Sequence, residues 1–522
     1  MLGGNINEIL LSVIQLNVFR RRIVKEAPPA AAAGFYESRP GLDIIVSTGP
    51  RYPPMKNKDG HNAPAYFNWL RLKNGVLVSS DLGGWALLKP AEFRRFAAGR
   101  LEPGPALARL EKAGLLRSRL DFDAVFTDWR DSNEYLERGP GLHILVLTQK
   151  CNHACAYCQA GSGAGGDMSA ATARRAVDFA FSAPVAGLTL EFQGGEPLVN
   201  WPVLKAAALY ARKKARAAGK DLELALVSNF SLMTREKADF IIDNGISVCT
   251  SLDGPADLHN ANRPFRGGNS HALAEKWIGY FQARRGVRPP GGPSALLTVT
   301  RASLPRAREI VDEYARLRLP YVFLRPLMPF GAALARWDGM GYTPEEFVKF
   351  YRAGLERVLE LNLRGSGIKE KTAFLLVKKI LGSQDNRYVD LRCPCGAGLG
   401  QLAYDWDGGV YTCDEGRMLA MDGDLSFKAG SVRDPYRKVI NSAPVRACAV
   451  SSSLDLQPCC SRCAYRPWCG ACPAYNRAAQ GGFWGAMPSN ARCRTLKGIF
   501  GTLFEFASEK RYLKVFENWL EN

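Results

Sequence analysis

The chain has 522 residues, of which 47% are hydrophobic and 23% are charged. These proportions are ordinary for a globular protein, and they exclude a collagen-like, low-complexity or largely disordered chain. At about 150 residues per domain, the length suggests about three domains. Lysine and arginine outnumber aspartate and glutamate by 69 to 50, and the resulting net charge of +19 favours an acidic partner without identifying it.

Residues 1–50 are predicted to be a tail or linker. Their apolar run, Ile9–Phe19, is shorter than the roughly 18 residues that a membrane-spanning helix needs. The arginines at positions 20–22 follow this run, whereas a signal peptide carries its positive residues in front. The sequence therefore predicts a cytoplasmic protein with no membrane partner.

Residues 51–135 are predicted to form a small module of strands followed by helices. Residues 66–88 read as two or three strands, with turns at Asn74-Gly75 and Gly83-Gly84. Residues 90–99 and 105–116 have helical patterns. The simplest interpretation is an N-terminal subdomain that caps the domain following it.

Residues 136–345 are predicted to form an α/β domain. Six short apolar runs alternate with helical patterns, and they occupy residues 143–148, 188–195, 223–230, 246–254, 294–300 and 321–327. Such strands indicate a parallel sheet covered on both faces, either a partial (β/α)6 barrel or an open sheet. In both folds, ligands bind at the carboxyl ends of the strands. Ser169 and Thr234 are predicted to begin two of the helices.

The distribution of the 14 cysteines is the most informative feature of the chain. Three lie between positions 151 and 158, ten lie between 393 and 493, and one is Cys249. Without a secretory signal, such clusters indicate metal or iron–sulfur ligands rather than disulfides. Cys249 lies in an apolar run and is predicted to be a buried small hydrophobic residue. Residues 346–392 are predicted to be a helical bridge, and residues 393–522 a loop-rich domain that bound metal stabilises.

A CxxxCxxC motif, Cys151, Cys155 and Cys158, directly follows the first strand of the α/β domain. Three thiolates on one loop can hold three irons of a [4Fe–4S] cube and leave the fourth iron open to a ligand. A zinc site would need a fourth ligand, and His153 is awkwardly placed to provide it. With Tyr157 before its last cysteine, the motif resembles the signature of radical S-adenosylmethionine (SAM) enzymes.

The second strand ends in Gln193-Gly194-Gly195-Glu196-Pro197. Glycines let the backbone approach a ligand closely, and the carboxylate can accept a hydrogen bond from an ammonium group. In the radical SAM family, this GGEP segment matches the one that binds the amino group of SAM. The resemblance also implies cofactor contacts for polar residues at later strand ends, where turns and helix caps are the alternative. The candidates at the strand ends are Ser228, Asn229, Ser251, Asp253 and Arg263, and Tyr157 in the cysteine loop is a further one.

The resemblance implies the chemistry of the cofactor. The cluster passes one electron to SAM, and the carbon–sulfur bond breaks to give methionine and a 5′-deoxyadenosyl radical. That radical takes a hydrogen atom from an unactivated carbon, while the protein orients the reactants and excludes water and oxygen. The expected reductant is a small redox protein such as flavodoxin or ferredoxin.

The second cysteine region resembles the SPASM extension, which binds two auxiliary [4Fe–4S] clusters. The matching patterns are Cys395-x12-Gly408-x4-Cys413, then Cys460-x2-Cys463-x5-Cys469-x2-Cys472, then Cys493. The family has three residues before the last cysteine of the middle group, where this chain has Gly470 and Ala471. The resemblance assigns Cys393, Cys395, Cys413 and Cys472 to one cluster and Cys460, Cys463, Cys469 and Cys493 to the other. Cys448 and Cys459 are spare and able to substitute, and two zinc sites are the alternative.

Two further residues are candidates for contact with the substrate. Asp414 directly follows Cys413, and in sulfatase-maturing relatives an aspartate at this position serves as a general base. The alternative is an exposed aspartate in a turn. Gln193, which precedes the GGEP segment, is predicted to touch a peptide substrate.

Several stretches narrow the resemblance to the radical SAM maturase (B component) of His-Xaa-Ser systems. They occupy residues 142–160, 188–201, 251–265 and 323–331, and the resemblance covers about residues 60–500. It implies a radical SAM barrel, a SPASM domain and a winged-helix-like module at 51–135 that holds a leader peptide by adding it as a strand. It also implies a precursor peptide or small protein as substrate, crosslinked or oxidised by hydrogen abstraction. A second radical SAM maturase is a further candidate partner.

Other functions stay open at this point. A sulfatase-type maturase would oxidise cysteine or serine to formylglycine. A zinc-stabilised nucleic-acid-binding protein would account for the basic charge and the CxxC pairs, although the cysteine trio and GGEP lie at strand ends rather than in a basic helix. A scaffold without catalytic activity would not need the SAM motifs. We therefore expect an enzyme with no nucleic-acid partner.

Overall fold

The computed structural model describes residues 63–160, 165–287, 292–382 and 388–521. The tail predicted for residues 1–50 lies outside the described residues. Contacts divide the chain into two compact units: in the described part, the first holds residues 63–71 and Gly75–Asp121, and the second holds Leu72–Asn74 and residues 122–521. The domain boundaries predicted after residues 135, 345 and 392 stay predictions.

The first unit combines a three-stranded sheet with two helices. Strands β1 (Asn68–Leu72), β2 (Gly75–Ser79) and β3 (Trp85–Leu88) lie in that order, and β2 pairs with β3 antiparallel. The helices are Pro90–Ala97 and Pro105–Lys112. Phe96 and Leu110 from the helices pack with Val78 and Leu88 from the strands in one buried core. The strands and helices predicted for this module are confirmed.

The second unit is built on a nine-stranded sheet. Its strands are β4 (Leu142–Val146), β5 (Gly187–Gln193), β6 (Asp221–Ser228), β7 (Ile246–Ser251), β8 (Ser294–Thr298), β10 (Leu324–Arg325), β12 (Gln401–Tyr404), β13 (Gly409–Tyr411) and β14 (Lys428–Ser431). A separate parallel pair joins β9 (Tyr321–Val322) to β11 (Lys369–Glu370). The order of the large sheet is β10-β8-β7-β6-β5-β4-β12-β13-β14. Strands β4 to β8 and β10 are parallel neighbours in chain order, which confirms the α/β fold predicted for residues 143–327.

Helices connect these parallel strands. They are Ala170–Ala180, Trp201–Ala218, Arg235–Asp243, Ala256–Asn262, Ser270–Arg285 and Ala307–Arg316. The Ser169 hydroxyl accepts a hydrogen bond from the Thr172 amide at 3.0 Å, and Thr234 caps the helix after it in the same way. Both predicted helix starts are therefore confirmed. The segment predicted to be a helical bridge, residues 346–392, contains most of helix Pro344–Leu363 and all of helix Lys371–Ile380, and its role as a bridge stays a prediction.

The region after Cys393 contains more regular structure than the sequence predicts. It holds helices Asp414–Met421, Tyr436–Ile440, Ala443–Ser452, Pro473–Gln480, Ala491–Ala507 and Lys510–Glu521. Further helices of the second unit lie before Cys393, and they are Phe122–Asn133, Tyr135–Arg138, Gly331–Ala335 and Trp337–Met340. Strand β12 pairs in parallel with β4, with Ala403 opposite Ile144. All four residues of β12 are buried, but such a short run gives too weak a strand signal to be recognised in a sequence. The cysteine-rich region is thus hydrogen-bonded to the sheet of the α/β domain.

No helix in the described ranges combines the length and the apolar character that crossing a bilayer requires.

Candidate functional site

The CxxxCxxC loop and the GGEP segment lie side by side after neighbouring strands β4 and β5. The amide of Gly195 donates to the carbonyl of Thr148 at 2.8 Å, and the amide of Glu196 donates to the carbonyl of Lys150 at 2.9 Å. A Cβ atom on Gly195 would lie 2.4 Å from the Lys150 carbonyl oxygen. Because Gly195 has no side chain, the backbone of the GGEP segment can approach the backbone of residues 148–150 closely. Residues 148–150 lead directly into Cys151.

The Glu196 carboxylate is completely buried and has protein donors on both oxygens. Its Oε1 accepts from the Ser228 hydroxyl at 2.8 Å, and its Oε2 accepts from the Asn229 amide at 2.8 Å. Oε1 also accepts from the amide of Leu198, the residue after the buried Pro197. Burial raises the pKa of Glu196 and these hydrogen bonds oppose the rise. Glu196 thus joins the ends of β5 and β6, next to the cysteine loop.

A second buried network lies on the other side of the loop. The Arg263 guanidinium binds both oxygens of Asp253, at 3.0 and 3.2 Å, and its Nη1 lies 4.0 Å from Cys155 Sγ. Tyr157 donates to Asp253 Oδ2 at 2.6 Å, and the Thr298 amide donates to Oδ1. Three residues that were predicted separately are therefore one hydrogen-bonded group, and this group positions the cysteine loop.

The three loop thiols have surroundings that suit metal ligands. All three are partly exposed and none is in a disulfide with another described residue, and burial raises the pKa of Cys151 to about 12. A thiolate at such a position needs a nearby positive charge, which iron supplies. Asn229 Nδ2 lies 3.9 Å from Cys151 Sγ, so a donor already faces one sulfur. The residues present therefore fit an iron–sulfur cluster.

His153 is buried between two of these cysteines. Its ring stacks on Phe265 at 4.7 Å, and neither ring nitrogen has a hydrogen-bond partner among the described residues. Burial lowers the pKa of His153 to about 4. Among the described residues, no three His, Cys, Asp or Glu side chains converge tightly enough to hold a single metal ion.

The remaining residues predicted to contact SAM lie at the same edge of the sheet. Ser228 is the last residue of β6, Asn229 directly follows it, and Asn229 Nδ2 donates to Asn152 Oδ1 at 3.1 Å. Ser251 is the last residue of β7 and is partly exposed. Cys249, two residues earlier, was predicted to be buried; it is half-buried, and burial raises the pKa of its thiol to about 12. Its position on the half-exposed face of β7 follows from the alternation of side chains along a strand.

Asp414 and Gln193 belong to one polar region. Asp414 is only 7% exposed, at the start of helix Asp414–Met421, and it accepts from Arg417 Nε at 2.8 Å. It is therefore not an exposed residue in a turn. Gln193 Nε2 donates to Glu191, whose pKa is raised by burial and further by the charge of Asp414. Glu191 was not among the predicted site residues, although the alternation of side chains along a strand places it on the same face as Gln193.

The C-terminal cysteines fall into two groups. Cys395, Cys413 and Cys472 share one buried cluster, and the last two cap helices with their sulfurs, at 3.2 and 3.4 Å from the Gly416 and Tyr475 amides. Helix N-termini favour the thiolate form of a ligand. The other group surrounds Cys460. Burial raises the pKa of Cys460, and the charges of four neighbouring thiols raise it further; these are Cys469, Cys493, Cys463 and Cys459.

The chain resembles known proteins over part of its length. Residues 145–285 match the model of the radical SAM superfamily. A cysteine-type anaerobic sulfatase-maturating enzyme of Clostridium perfringens is 22% identical over 285 residues, which is 54% of this chain and 72% of that enzyme. An uncharacterized protein of Methanocaldococcus jannaschii is 28% identical over 130 residues, 25% of this chain, and the chain spans less than half, 44%, of that relative.

Solved structures share the fold. Native anSMEcpe with bound AdoMet has a TM-score of 0.61 and 20% identity, covering 72% of this chain and 99% of that one. Streptococcus suis SuiB bound to S-adenosylmethionine has a TM-score of 0.50 and 12% identity, covering 82% of this chain and 99% of that one. The matched segment contains the CxxxCxxC loop and the GGEP segment. Residues 145–285 are therefore a radical SAM domain, and the cofactors of that domain family are a [4Fe–4S] cluster and SAM.

Proposed function

We propose that this enzyme modifies a ribosomally made peptide or protein, and that its substrate is a precursor of the His-Xaa-Ser type. When bound, the cluster and SAM supply a 5′-deoxyadenosyl radical that abstracts hydrogen from a substrate carbon. The product is a crosslinked or otherwise oxidised residue. Cys151, Cys155 and Cys158 hold the cluster, and the residues around Glu196 and Asp253 position the loop and face SAM.

One observation carries this proposal. The pairing of β12 with β4 brings Asp414, directly after Cys413, close enough to β5 for its charge to act on Glu191. A carboxylate there is placed to accept the proton that a substrate radical loses when it is oxidised. Arg417 orients that carboxylate through its Nε hydrogen bond, and Gln193 offers a polar contact to the peptide. Two auxiliary clusters in the C-terminal region would receive the second electron.

The first unit is proposed to hold the leader of the precursor. Its small sheet has edge strands β1 and β3, and an extended peptide can add to such an edge through main-chain hydrogen bonds. A chain that starts at residue 122 should therefore lose precursor binding and keep uncoupled SAM cleavage. Unchanged binding by the shortened chain would contradict this role.

The experiment on function is an anaerobic reaction of the reconstituted enzyme with SAM, a reductant and candidate precursor peptides. We expect 5′-deoxyadenosine together with a peptide that has lost two hydrogen atoms for each bond formed and that survives protease digestion as a linked fragment. Cys155→Ala should form neither product. SAM cleavage with every precursor left unmodified would contradict the proposal, and copurification would identify a second maturase or a flavodoxin- or ferredoxin-like reductant.

A sulfatase-type maturase is the second candidate function. The Clostridium perfringens sulfatase-maturating enzyme aligns over 72% of its length, and the fold matches anSMEcpe solved with bound AdoMet and a Cp18Cys peptide, with a TM-score of 0.60 and 19% identity. A sulfatase-type maturase would produce formylglycine on a single residue. Formylglycine reacts with hydrazines and forms no linked fragment. The same mass spectra therefore separate the two functions. Nucleic-acid binding that weakens steeply with salt would instead support the non-enzymatic alternative.

A further inference from the structure

Cys448 is a buried thiol that the cysteine pattern leaves as a spare residue, outside the four ligands assigned to either cluster. It lies on helix Ala443–Ser452 and is 0% exposed. It packs in the same buried cluster as Cys395, Cys413 and Cys472, and Cys393 is not in that cluster. Four cysteines from four separate segments thus share one apolar interior.

Hydrogen bonds join the helix of Cys448 to the other cysteines. Cys448 Sγ donates to the Thr412 hydroxyl at 3.7 Å, and that hydroxyl donates to Cys413 Sγ at 3.9 Å. One turn along the helix, the Ser452 hydroxyl donates to the Cys448 carbonyl at 2.6 Å and accepts from the Cys395 amide at 2.8 Å. The position of Cys448 is therefore coupled to both Cys413 and Cys395.

Cys393 has different neighbours. Its Sγ accepts from the Leu454 amide at 3.2 Å. Although only one residue separates Cys393 from Cys395 in sequence, the two sulfurs lie in different surroundings.

We propose that Cys448, and not Cys393, is the fourth ligand of the auxiliary cluster held by Cys395, Cys413 and Cys472. This inference rests on the proposal that the C-terminal region binds auxiliary clusters. With four thiolates, every iron of the cube has a protein ligand, so no iron is open to substrate and the cluster serves in electron transfer. Binding exchanges one thiol proton for one iron–sulfur bond at each cysteine and changes no oxidation state.

The test compares Cys448→Ser with Cys393→Ser in the full-length, anaerobically reconstituted enzyme. Three [4Fe–4S] clusters predict about 12 irons per chain in the unsubstituted enzyme. We expect Cys448→Ser to lose about one to four irons, or to convert one cluster to a three-iron form visible by electron paramagnetic resonance. Cys393→Ser should retain the full iron content and the unaltered spectrum. Retention of the other two clusters in each variant shows that the chain has folded.

Three outcomes would overturn the assignment: iron loss in Cys393→Ser alone, iron loss in both variants, or full iron content in both. The ligand assignment would also be overturned if the unsubstituted enzyme lacked this cluster. In that case, separate measurements of SAM cleavage and peptide modification would still decide the proposed function.

A second measurement needs no substitution. The enzyme is alkylated before and after its iron is stripped with ferricyanide and a chelator, and the labelled cysteines are mapped by mass spectrometry. Cys448 should become reactive on stripping together with Cys395, Cys413 and Cys472, whereas the labelling of Cys393 should not change. Equal protection of Cys393 by iron would contradict the proposal.

Discussion

Asp253 and Arg263 form a buried ion pair in which two guanidinium nitrogens reach the two carboxylate oxygens at 3.0 and 3.2 Å. The pair is almost inaccessible to solvent, with side-chain exposures of 0% for Asp253 and 10% for Arg263. Because Tyr157 also bonds to Asp253, and Arg263 lies beside Cys155, the pair connects the end of β7 to the cysteine loop.

Asp253→Asn should destabilise the protein strongly. The substitution leaves the Arg263 charge buried without its counter-charge, which costs about 3–5 kcal/mol. Urea unfolding of the anaerobic protein measures the loss, and iron analysis should show weaker retention of the first cluster. Glu509→Gln is the matched control, because its ion pair with Arg511 is exposed and contributes at most about 1 kcal/mol. Equal effects of the two substitutions would contradict the structural role of Asp253.

Gly195→Ala should weaken cluster binding. Its new Cβ atom would lie 2.4 Å from the Lys150 carbonyl oxygen, so the backbone before Cys151 would have to move. Iron content after reconstitution is the measurement. Gly279→Ala is the control: that position lies within helix Ser270–Arg285 with open space around it, and alanine there should raise stability by about 1 kcal/mol. Full iron content in Gly195→Ala would show that the loop tolerates the shift.

Asp414→Asn should separate SAM cleavage from peptide modification. Loss of a general base typically costs about 10²- to 10⁴-fold in rate, and this loss should fall on the modified peptide rather than on 5′-deoxyadenosine. The ratio of the two products is the measurement. Asp422→Asn is the control, because Asp422 lies at the other end of the same helix and bonds to the Gly331 amide. A parallel fall of both products would contradict the role of Asp414 as a base.

Glu313 should make stability depend on pH in the acid range. Burial acts to raise its pKa, but hydrogen bonds from Arg316 and His271 outweigh it and lower the pKa to about 2. An unfolded glutamate titrates near 4.3, so the stabilisation is complete above that pH and is lost as the pH falls from about 4.3 towards 2.

The check on Glu313 is unfolding of the enzyme and of Glu313→Gln between neutral and acid pH. The unsubstituted enzyme should lose about 2 kcal/mol more than Glu313→Gln across this range. The other charged group facing His271 is Glu275, at 3.9 Å, and it is present in both proteins. Glu236→Gln, at an exposed position, should behave like the unsubstituted enzyme. Identical pH profiles for all three would contradict the effect.

Local patterns in the sequence predicted much of the fold and of the cofactor site. The parallel strands before Ser228 and Ser251 are runs of apolar residues long enough to be recognised, and Ser169 and Thr234 carry their capping signal within four residues of chain. The CxxxCxxC loop and the GGEP segment follow neighbouring strands, and parallel strands end at one edge of a sheet. Their proximity could therefore be predicted without coordinates.

Other features depend on contacts between distant segments. Glu196 looked like a ligand for an ammonium group, but only the tertiary structure places Ser228 and Asn229 against its two oxygens. In the sequence, Glu191 is only one charged residue in a strand, and it is the fold that brings Asp414 close enough for its charge to act on Glu191. Burial and charge at these positions come from neighbours that are far away in sequence.

The alternation of strands and helices, the cysteine loop and its cofactor class could be predicted because each depends on spacing within a short stretch of chain. Two features follow instead from contacts in the folded protein: β12 extends the sheet beside β4, and Cys448, rather than Cys393, shares an interior with Cys395. The physical reason is that strand pairing and side-chain packing are set by hydrogen bonds and apolar contacts between distant segments, and cysteine spacing carries no record of those contacts.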